Sequence, residues 1–353
     1  MSADLTARIK ALAAESGFAR AGVAPAGELP RQDREATDAF LARGYDAGMD
    51  YLRRHAAKRV SPRRIVPDAR SVICLAVSYA PAVEPQAGPG EATIARYARG
   101  RDYHKVLKRR CRALMDAIRA EVPDFAGRAF VDTAPVAERS LAQLAGLGWV
   151  GRNGCLIVPG LGSYVVLAEI VCNLPLAPDA PAADSCGACT ACVDACPTGA
   201  CTGETLVDAR RCLSYLTIEH AGDIPPELRP ALGGRVLGCD RCQEVCPHNA
   251  GVPPGDAELT GGAAPTAAAD LAAVLDWTEA DWDAATRGSA RRRAPLHSWQ
   301  RNAAVAAGNS GRAELVEPIL RLRDREPALA ETCDWALARL GRPGGCPRAA
   351  GGV

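Results

Sequence analysis

A run of closely spaced cysteines constrains the fold of this chain more than any other feature of its sequence. Residues 186–197 read CGACTACVDACP, which is the pattern C-x2-C-x2-C-x3-C-P. Bacterial ferredoxins hold cubane iron–sulfur clusters with this spacing, because three thiolates in one tight loop bind one cluster while the fourth cysteine binds the other. The run therefore predicts two [4Fe–4S] clusters.

A second, incomplete copy of the pattern follows at residues 239–247, which read CDRCQEVCP. A full copy would place a cysteine at position 236, where Val236 stands, so we expect Cys212 to replace it from an earlier segment. The spacing thus predicts two ligand sets: Cys186, Cys189, Cys192 and Cys246 for one cluster, and Cys196, Cys212, Cys239 and Cys242 for the other. A zinc ribbon is the alternative, since paired C-x2-C units also suit tetrahedral zinc, but four cysteines in one short run followed by proline fit it poorly.

Composition places these cysteines in a reducing compartment. Eight of the 15 cysteines belong to the two sets, which favours metal binding over a disulfide scaffold. The others are predicted to be small buried apolar side chains: Cys74, Cys111, Cys155, Cys172, Cys201, Cys333 and Cys346. No secretory signal and no apolar run of membrane-spanning length is visible, so we expect a cytoplasmic protein that does not enter a membrane. The net charge of +1 argues against wholesale electrostatic capture of nucleic acid, though not against local basic patches.

The 353 residues suggest two or three domains. In the first, residues 1–175, strands are predicted at 72–79, 129–132, 155–158 and 164–171, and helices at 4–16, 31–43, 103–121 and 133–146. Alternating strands and helices indicate an α/β domain, and the continuous apolar run at 72–79 is typical of a strand buried on both faces. Linkers rich in proline, alanine or glycine at 175–184 and 251–265 flank the cysteine region, which forms the second domain, 176–255.

The third predicted domain, residues 256–345, is helical. Candidate helices lie at 266–274, 278–286, 297–307, 312–323 and 326–340, and the tail from Gly341 is expected to fray. Two of them pair across residues 308–311, a pattern similar to HEAT-like helical repeats. The α/β domain shows neither a G-x-G-x-x-G turn nor a Walker A sequence, so we expect its redox partner for the clusters to be a cofactor other than a dinucleotide.

Five further motifs resemble one known family. Residues 96–104 read RYARGRDYH, 130–136 FVDTAPV, 148–153 GWVGRN, 212–219 CLSYLTIE and 239–249 CDRCQEVCPHN. In this order they resemble the epoxyqueuosine reductases, and the resemblance spans residues 59–249 and returns at 301–304. It implies an enzyme that removes the epoxide oxygen of epoxyqueuosine at the wobble position of tRNA, leaving queuosine.

The resemblance also implies a fold, cofactors and partners. The α/β domain would be a nitroreductase-like, cobalamin-binding catalytic domain, followed by an inserted ferredoxin-like module and the HEAT-like repeats. Cobalamin would lie base-off between the first two, with no protein axial ligand, and an external electron donor would reduce it through the two clusters. The partner would be a tRNA anticodon stem-loop carrying epoxyqueuosine. Nothing in the sequence marks a subunit interface, so we expect a monomer.

By its motif, Asp132 is the catalytic acid that this resemblance implies. The oxyanion released from the epoxide needs a proton, and such an acid works best with a pKa raised toward neutrality, which burial against an apolar corrin face would supply. The alternative is structural, because Asp132 follows a strand and precedes Thr133-Ala134-Pro135, where it could cap a helix. The other residues expected at the cobalamin are Arg59, Tyr97, Ser163, Ser214, Tyr215 and Thr217, with packing or surface roles as their alternatives.

His104 is the residue that we consider as a possible protein ligand of the cobalt. Cobalamin enzymes that use a histidine ligand carry D-x-H-x-x-G, and Asp102-Tyr103-His104 begins this pattern, but Leu107 stands in place of the glycine. We interpret the match as chance and His104 as a hydrogen-bonded structural residue.

Basic residues that would contact tRNA phosphates form two groups. They are Lys105, Lys108, Arg109, Arg110 and Arg112 on the helix at 103–121, and Arg291, Arg292, Arg293 and Arg301 beside the repeats. Two other functions remain open: a cobalamin enzyme related to reductive dehalogenases that acts on a small molecule, and a non-enzymatic electron-transfer protein.

Overall fold

The computed structural model describes residues 2–82, 91–261 and 268–341. Most of the loop predicted at 81–92, part of the linker at 251–265, Cys346 and the tail predicted to fray lie outside these ranges. Within them no helix is both long and apolar enough to cross a lipid bilayer.

The described residues contain sixteen α-helices, nine strands and six 3-10 helices. Helices α1 to α16 span Ser2–Glu15, Arg31–Ala42, Asp50–Arg54, Ala56–Arg59, Tyr103–Glu121, Glu138–Leu144, Ala191–Asp194, Leu213–Ile218, Arg229–Leu232, Arg241–Glu244, Ala257–Thr260, Leu271–Asp276, Glu279–Thr286, Leu296–Ser310, Val316–Arg325 and Ala330–Leu340. Strands β1 to β9 span Arg20–Pro25, Ser71–Ser78, Glu91–Ile94, Gly127–Phe130, Trp149–Val150, Leu156–Ile157, Val165–Cys172, Arg235–Leu237 and Ala268–Asp270. The 3-10 turns span Pro62–Arg64, Arg96–Ala98, Pro247–Asn249, Ala290–Arg293, Ala313–Leu315 and Pro327–Leu329.

A four-stranded sheet forms the centre of the first region, with the order β1-β2-β7-β4 and antiparallel pairing throughout. All eight residues of β2 are buried, as the apolar run predicts. Alternate residues of β2 point to opposite faces, so Ile73 packs with α1 and α5 while Cys74 packs with α6. Helices thus cover both faces of the sheet, which agrees with the prediction of a mixed helix-and-strand domain, although the pairing is antiparallel and not the parallel pairing typical of α/β folds. Strand β1 was not predicted.

The segment after β4 differs from the prediction. Instead of starting at Thr133, the helix α6 begins at Glu138, and its N-cap is Ala137. Asp132 adopts a left-handed backbone with φ 55°. Asp132 is therefore not a helix cap: it lies in a tight turn between β4 and α6, because the chain must reverse before the apolar face of α6 meets the sheet.

A second sheet ties the three predicted domains together. Its order is β8-β3-β9, so a strand from residues 1–175 pairs with one strand from the cysteine region and one from the helical region. Val236 lies in β8, is fully buried and belongs to the apolar core of the C-terminal helices. The position that lacks a cysteine is therefore a core position. The boundaries at 175 and 255 remain predictions.

The C-terminal region is helical, as predicted, with one exception. Residues 268–270 form β9 before α12 begins, where a continuous helix at 266–274 was expected. Helices α14 and α15 correspond to the helices predicted at 297–307 and 312–323, and Gly311 ends α14 with a φ of 70°. At Gly308 a Cβ atom would lie 2.7 Å from the Cα of Ala336, so glycine permits the close packing of α14 on α16.

Candidate active site

The first predicted cysteine set surrounds one cavity. Cys186, Cys189, Cys192 and Cys246 line it together with Asn153 and His248. Three of these cysteines come from the run at 186–197 and the fourth from the second motif, as the spacing predicts. The chemistry of this donor set, four thiols converging from two loops, fits an iron–sulfur cluster.

Three members of the second predicted set, Cys196, Cys212 and Cys239, face one another. The thiol of Cys212 lies in electrostatic contact with those of Cys239 and Cys196, and it accepts the backbone N–H groups of Ser214 and Tyr215 at the start of α8. Cys242 contacts Cys201, which in turn contacts Cys196. Cys155 and Cys201 were predicted to be small buried apolar side chains. Both contact Cys242, however, and Cys155 is partly exposed.

Among the described residues, no three His, Cys, Asp or Glu side chains come close enough together to hold a single metal ion.

A short hairpin joins both cysteine loops to the α/β domain. The sequence GWVGRN was predicted as a turn, but its Trp149 and Val150 form β5, which pairs with β6. Trp149 Nε1 donates to Cys186 Sγ at 3.4 Å, and Arg152 Nη2 donates to the carbonyl of Gly187 at 2.9 Å. Asn153 Nδ2 donates to the carbonyl of Cys242 at 3.5 Å. The hairpin therefore holds one cluster ligand directly and two ligand loops through their backbones.

The RYARGRD motif makes a second junction. The backbone N–H of Arg96 donates to Asp240 Oδ2 at 2.8 Å, and its guanidinium forms ion pairs with Asp240 and with Glu244 at 3.2 Å. Asp240 stands between Cys239 and Cys242, so this buried ion pair fixes the second cysteine loop against the 3-10 turn that carries Tyr97.

Asp132 lies at the centre of a hydrogen-bonded group of side chains. Its Oδ2 accepts the hydroxyl of Tyr103 at 2.7 Å and lies 3.3 Å from Nε2 of His104. The other ring nitrogen of His104 lies 2.8 Å from Oδ1 of Asp102, the residue that also caps α5. The side chain of Asp132 is 58% exposed to solvent, whereas that of His104 is 24% exposed.

The pKa of Asp132 is lowered, whereas the sequence led us to expect that burial raises it. Its hydrogen bond to His104 outweighs the effect of burial, and with the bond from Tyr103 it lowers the pKa of Asp132. Burial alone would lower the pKa of His104, but hydrogen bonds to Asp102 and Asp132 raise it to about 9. The resting proton therefore belongs to His104, and Asp132 is ionised.

Both nitrogens of His104 are engaged by carboxylates, which agrees with the interpretation of the D-x-H start as chance. His104 is nevertheless more than a structural residue, because it is the cation that faces Asp132.

Two further carboxyl groups lie beneath Asp132. Glu138 Oε1 accepts the backbone N–H of Asp132 at 2.5 Å, and the carboxyl of Glu138 contacts that of Glu169 in β7. Burial, reinforced by the charge of Asp132, raises the pKa of Glu138 to about 7. No motif marks either residue; the one signal in the sequence is a carboxylate inside the otherwise apolar strand VVLAEIVC.

Some of the residues predicted to bind cobalamin are partly exposed, and others are buried. Arg59, Tyr97, Ser214 and Tyr215 are partly exposed. The Nε of Arg59 is buried and has no hydrogen-bond partner among the described residues, and its Nη1 donates to the carbonyl of Val136 at 3.3 Å. Such a buried donor fits a polar group on a bound cofactor.

Ser163 and Thr217 are buried and already bonded. Ser163 Oγ accepts the amide of Asn249 at 2.9 Å and that of Gln243 at 3.2 Å, which links the α/β domain to the second cysteine motif. Thr217 is fully buried; its hydroxyl donates to the carbonyl of Leu213 at 2.7 Å and accepts the N–H of Gly238 at 2.9 Å. These two hydroxyls are used inside the protein.

Of the basic residues proposed for tRNA, Arg301 is placed differently from the prediction. It is fully buried, and its guanidinium donates to the carbonyls of Leu216 at 2.6 Å and of His220 at 2.7 Å. It therefore holds the chain after Cys212 and cannot reach a phosphate. Arg109 and Arg110 form ion pairs with Glu258, and Arg292 and Arg293 with Asp283 and Glu219. Lys105 and Arg112 are exposed on α5.

Comparisons with known proteins identify first the class and then the family. Residues 185–249 match the family described as a 4Fe-4S double cluster binding domain, so both cysteine motifs belong to one iron–sulfur module. Residues 59–133, which include Arg59, Tyr97 and Asp132, match the family described as epoxyqueuosine reductase QueG, DUF1730.

Whole-chain relatives extend the match. The epoxyqueuosine reductase of Xanthomonas campestris pv. campestris is 41% identical over 345 residues, which is 96% of this chain and 97% of the relative. The chain belongs to the epoxyqueuosine reductase family, and so to the oxidoreductases.

Solved structures agree with this assignment. A crystal structure of an epoxyqueuosine reductase with an epoxyqueuosine-modified tRNA-Tyr stem loop superposes with a TM-score of 0.88 at 30% identity, over 96% of this chain and 91% of that one. The Bacillus subtilis enzyme superposes with a TM-score of 0.84 at 28% identity over the same shares of the two chains. In that structure the catalytic aspartate loop is swung out of the active site.

Proposed function

We propose that this protein reduces the epoxide of epoxyqueuosine at the wobble position of tRNA, leaving queuosine. Family membership supports the reaction, and the observation that carries it is the exposed carboxylate of Asp132, which lies against a protonated His104. A relative solved with an epoxyqueuosine-modified stem loop supports an anticodon stem-loop as the partner.

Two [4Fe–4S] clusters carry the electrons in this proposal. The first is held by Cys186, Cys189, Cys192 and Cys246, and the second by Cys196, Cys212, Cys239 and Cys242. The reaction consumes two electrons and two protons, because loss of the epoxide oxygen as water leaves a carbon–carbon double bond. An external donor supplies the electrons.

Cobalamin completes the site, bound base-off between the α/β domain and the cluster module. When bound, it supplies a strongly reducing cobalt centre for cleavage of a carbon–oxygen bond. The buried Nε of Arg59, which has no partner among the described residues, supports this fit, and both Arg59 and Tyr97 face Asp132. We propose Ser214 and Tyr215 as further contacts. Ser163 and Thr217 would act indirectly, by fixing the second cysteine motif and Gly238. Since both nitrogens of His104 are occupied, we propose no protein axial ligand.

Asp132 delivers a proton to the oxygen released from the epoxide. At neutral pH Asp132 is ionised, so the proton comes from His104, which lies 3.3 Å away and transfers it through the Asp132 carboxylate. Tyr103 holds the same oxygen of Asp132 and orients it. General acids of this kind accelerate reactions by about 10²–10⁴-fold.

The remaining parts of the proposal concern architecture. Residues 1–175 form a nitroreductase-like catalytic domain, 176–255 a ferredoxin-like module and 256–345 HEAT-like repeats. Lys105, Lys108 and Arg112 on α5 are the remaining candidates of that helix for phosphate contacts, because Arg109 and Arg110 are paired. We propose a cytoplasmic monomer.

The test is anaerobic purification followed by single-turnover reduction of tRNA that carries epoxyqueuosine. We expect about eight iron atoms and one cobalamin per chain and conversion of the epoxide to queuosine. Full activity of cobalamin-free protein, or bound zinc in place of iron, would overturn the proposal. Reduction of a small organic halide but not of the tRNA would favour the dehalogenase-like alternative, and electron transfer without either reaction would favour an electron carrier.

A further inference from the structure

A pair of contacting carboxyl groups lies directly beneath the turn that carries Asp132. Glu138 is the first residue of α6 and is half-buried, whereas Glu169 is central in β7 and fully buried. Glu169 stands opposite Phe130 of β4 and Cys74 of β2, so its carboxyl projects from the middle of the sheet. Its contact with Glu138 joins the sheet to the start of α6.

Neither oxygen of Glu169 has a fixed donor among the described residues. Its neighbour is the carboxyl of Glu138, and two carboxylates in contact and out of water cannot both be ionised. A proton shared between them turns repulsion into a hydrogen bond. Because Glu169 is the more deeply buried, the proton belongs to Glu169, and Glu138 accepts it.

The same Glu138 carboxyl also holds the catalytic turn. Its Oε1 accepts the N–H of Asp132 at 2.5 Å, and Asp132 has a left-handed φ of 55°, a conformation that non-glycine residues keep only when their surroundings fix it. The charged and titratable groups that face Glu138 are Asp132, Arg59, Arg139 and Tyr103. Glu169 faces Cys74 and Cys111. Arg139 donates to the carbonyl of Gly154, so its guanidinium is directed to the loop.

We propose that Glu138 is the positioning residue of Asp132 and that it holds the N–H of Asp132 only while it shares a proton with Glu169. The inference rests on the proposed function, because it assigns a role in that reaction. Loss of the shared proton brings two anions into contact, displaces the Glu138 carboxyl and releases the turn. Burial and the neighbouring charge of Glu138 raise the pKa of Glu169 well above its usual range, which agrees with a proton held on Glu169.

The test compares Glu169→Gln, Glu138→Ala and the wild type in single-turnover reduction between pH 6 and pH 10. The wild-type rate should fall more steeply with rising pH than the rate of Glu169→Gln, whose amide always donates to Glu138 and which retains only the fall set by His104. Glu138→Ala should be at least tenfold slower at every pH with an unchanged KM for tRNA. Glu121→Gln, a surface carboxyl that pairs with Arg8, is the matched control.

A second readout needs neither cobalamin nor tRNA. In the infrared spectrum of cobalamin-free protein, the carbonyl band of a buried carboxylic acid should disappear as the pH rises, and it should be absent from Glu169→Gln. If Glu169→Gln does not fold, as judged by its iron content, Glu138→Gln carries the rate test, because it removes the second anion and no repulsion develops when Glu169 ionises.

Two results would overturn the inference. The first is that Glu169→Gln keeps both the pH dependence and the infrared band of the wild type. The second is that Glu138→Ala reduces the tRNA at the wild-type rate. If the wild type itself does not reduce the tRNA, the proposed function fails, and the infrared titration still decides whether the pair shares a proton.

Discussion

Nε2 of His104 lies 3.3 Å from Oδ2 of Asp132, and the two side chains carry opposite charges at neutral pH. The acid that we propose for this site is therefore a pair. Asp132 is the exposed carboxylate, and His104 holds the proton beside it. A second carboxylate, Asp102, bonds the far side of the imidazole and keeps it oriented.

Replacement of Asp132 by asparagine should abolish proton delivery without disturbing the cofactors. Asparagine can still accept the hydroxyl of Tyr103, but it cannot pass on a proton, so single-turnover reduction should slow by about 10²–10⁴-fold. Iron and cobalamin content should equal those of the wild type. Asp116→Asn, an exposed carboxylate on α5, is the control. Wild-type turnover in Asp132→Asn would refute the assignment.

The protonation of His104 predicts a loss of activity at high pH. Its pKa is raised from 6.5 to about 9, so the charged form persists through neutral pH and is lost as the pH rises through about 9. The stability that this shift contributes is fully present below pH 6.5 and disappears over the same upper window. Single-turnover rates and thermal midpoints from pH 6 to pH 10 measure both effects. His104→Gln should abolish the fall in rate near pH 9. His55→Gln, which replaces an exposed histidine, should retain it. If the fall is unchanged in His104→Gln, another group causes it.

Replacement of Cys212 by serine should remove one cluster and spare the other. Cys212 contacts Cys196 and Cys239 but belongs to a different set from the four thiols around the cavity. Iron content should fall from about eight to about four atoms per chain. Cys333→Ala, in the C-terminal core, should leave the iron content unchanged. Complete retention of iron in Cys212→Ser would show that Cys212 is not a ligand.

The hydrogen bond from Trp149 to Cys186 should raise the reduction potential of the first cluster. A donor to a ligand sulfur stabilises the more negative, reduced form, so Trp149→Phe should shift that potential to more negative values. A redox titration followed by electron paramagnetic resonance separates the two clusters. Trp277→Phe, in the helical region, is the control. An unchanged potential would mean that the bond does not influence the cluster.

Arg301 should contribute to stability and not to tRNA binding. Its guanidinium satisfies buried carbonyl groups near Cys212, so Arg301→Met should cost roughly 2–4 kcal/mol and lower the thermal midpoint. The salt dependence of tRNA binding by the folded variant should stay as in the wild type. By contrast, Arg112→Gln, at an exposed position, should leave the thermal midpoint unchanged. If Arg112 contacts a phosphate, the slope of the logarithm of the tRNA binding constant against the logarithm of salt concentration should decrease in magnitude by about 1. A reduced slope in Arg301→Met would restore Arg301 as a phosphate ligand.

The sequence by itself determined the parts that depend on local spacing. The two cysteine motifs and the vacancy at Val236 follow from counting residues, and Cys212 as its replacement stays a prediction. The structure brings Cys186, Cys189, Cys192 and Cys246 to one cavity and Cys212 to Cys196 and Cys239. The apolar run of β2 and the helix from Tyr103 to Glu121 follow equally from periodicity, because each burial pattern is written in neighbouring residues.

The tertiary structure decided what depends on partners distant in the sequence. Asp132 resembled a helix cap, and only the start of α6 at Glu138 and the left-handed turn show that it is not one. Its pKa was expected to rise with burial, but His104, 28 residues away, lowers it. Arg301 resembled a phosphate ligand until its burial placed it on backbone carbonyls. Spacing fixes which residues can bind together, whereas charge and burial depend on which distant groups the fold packs against each of them.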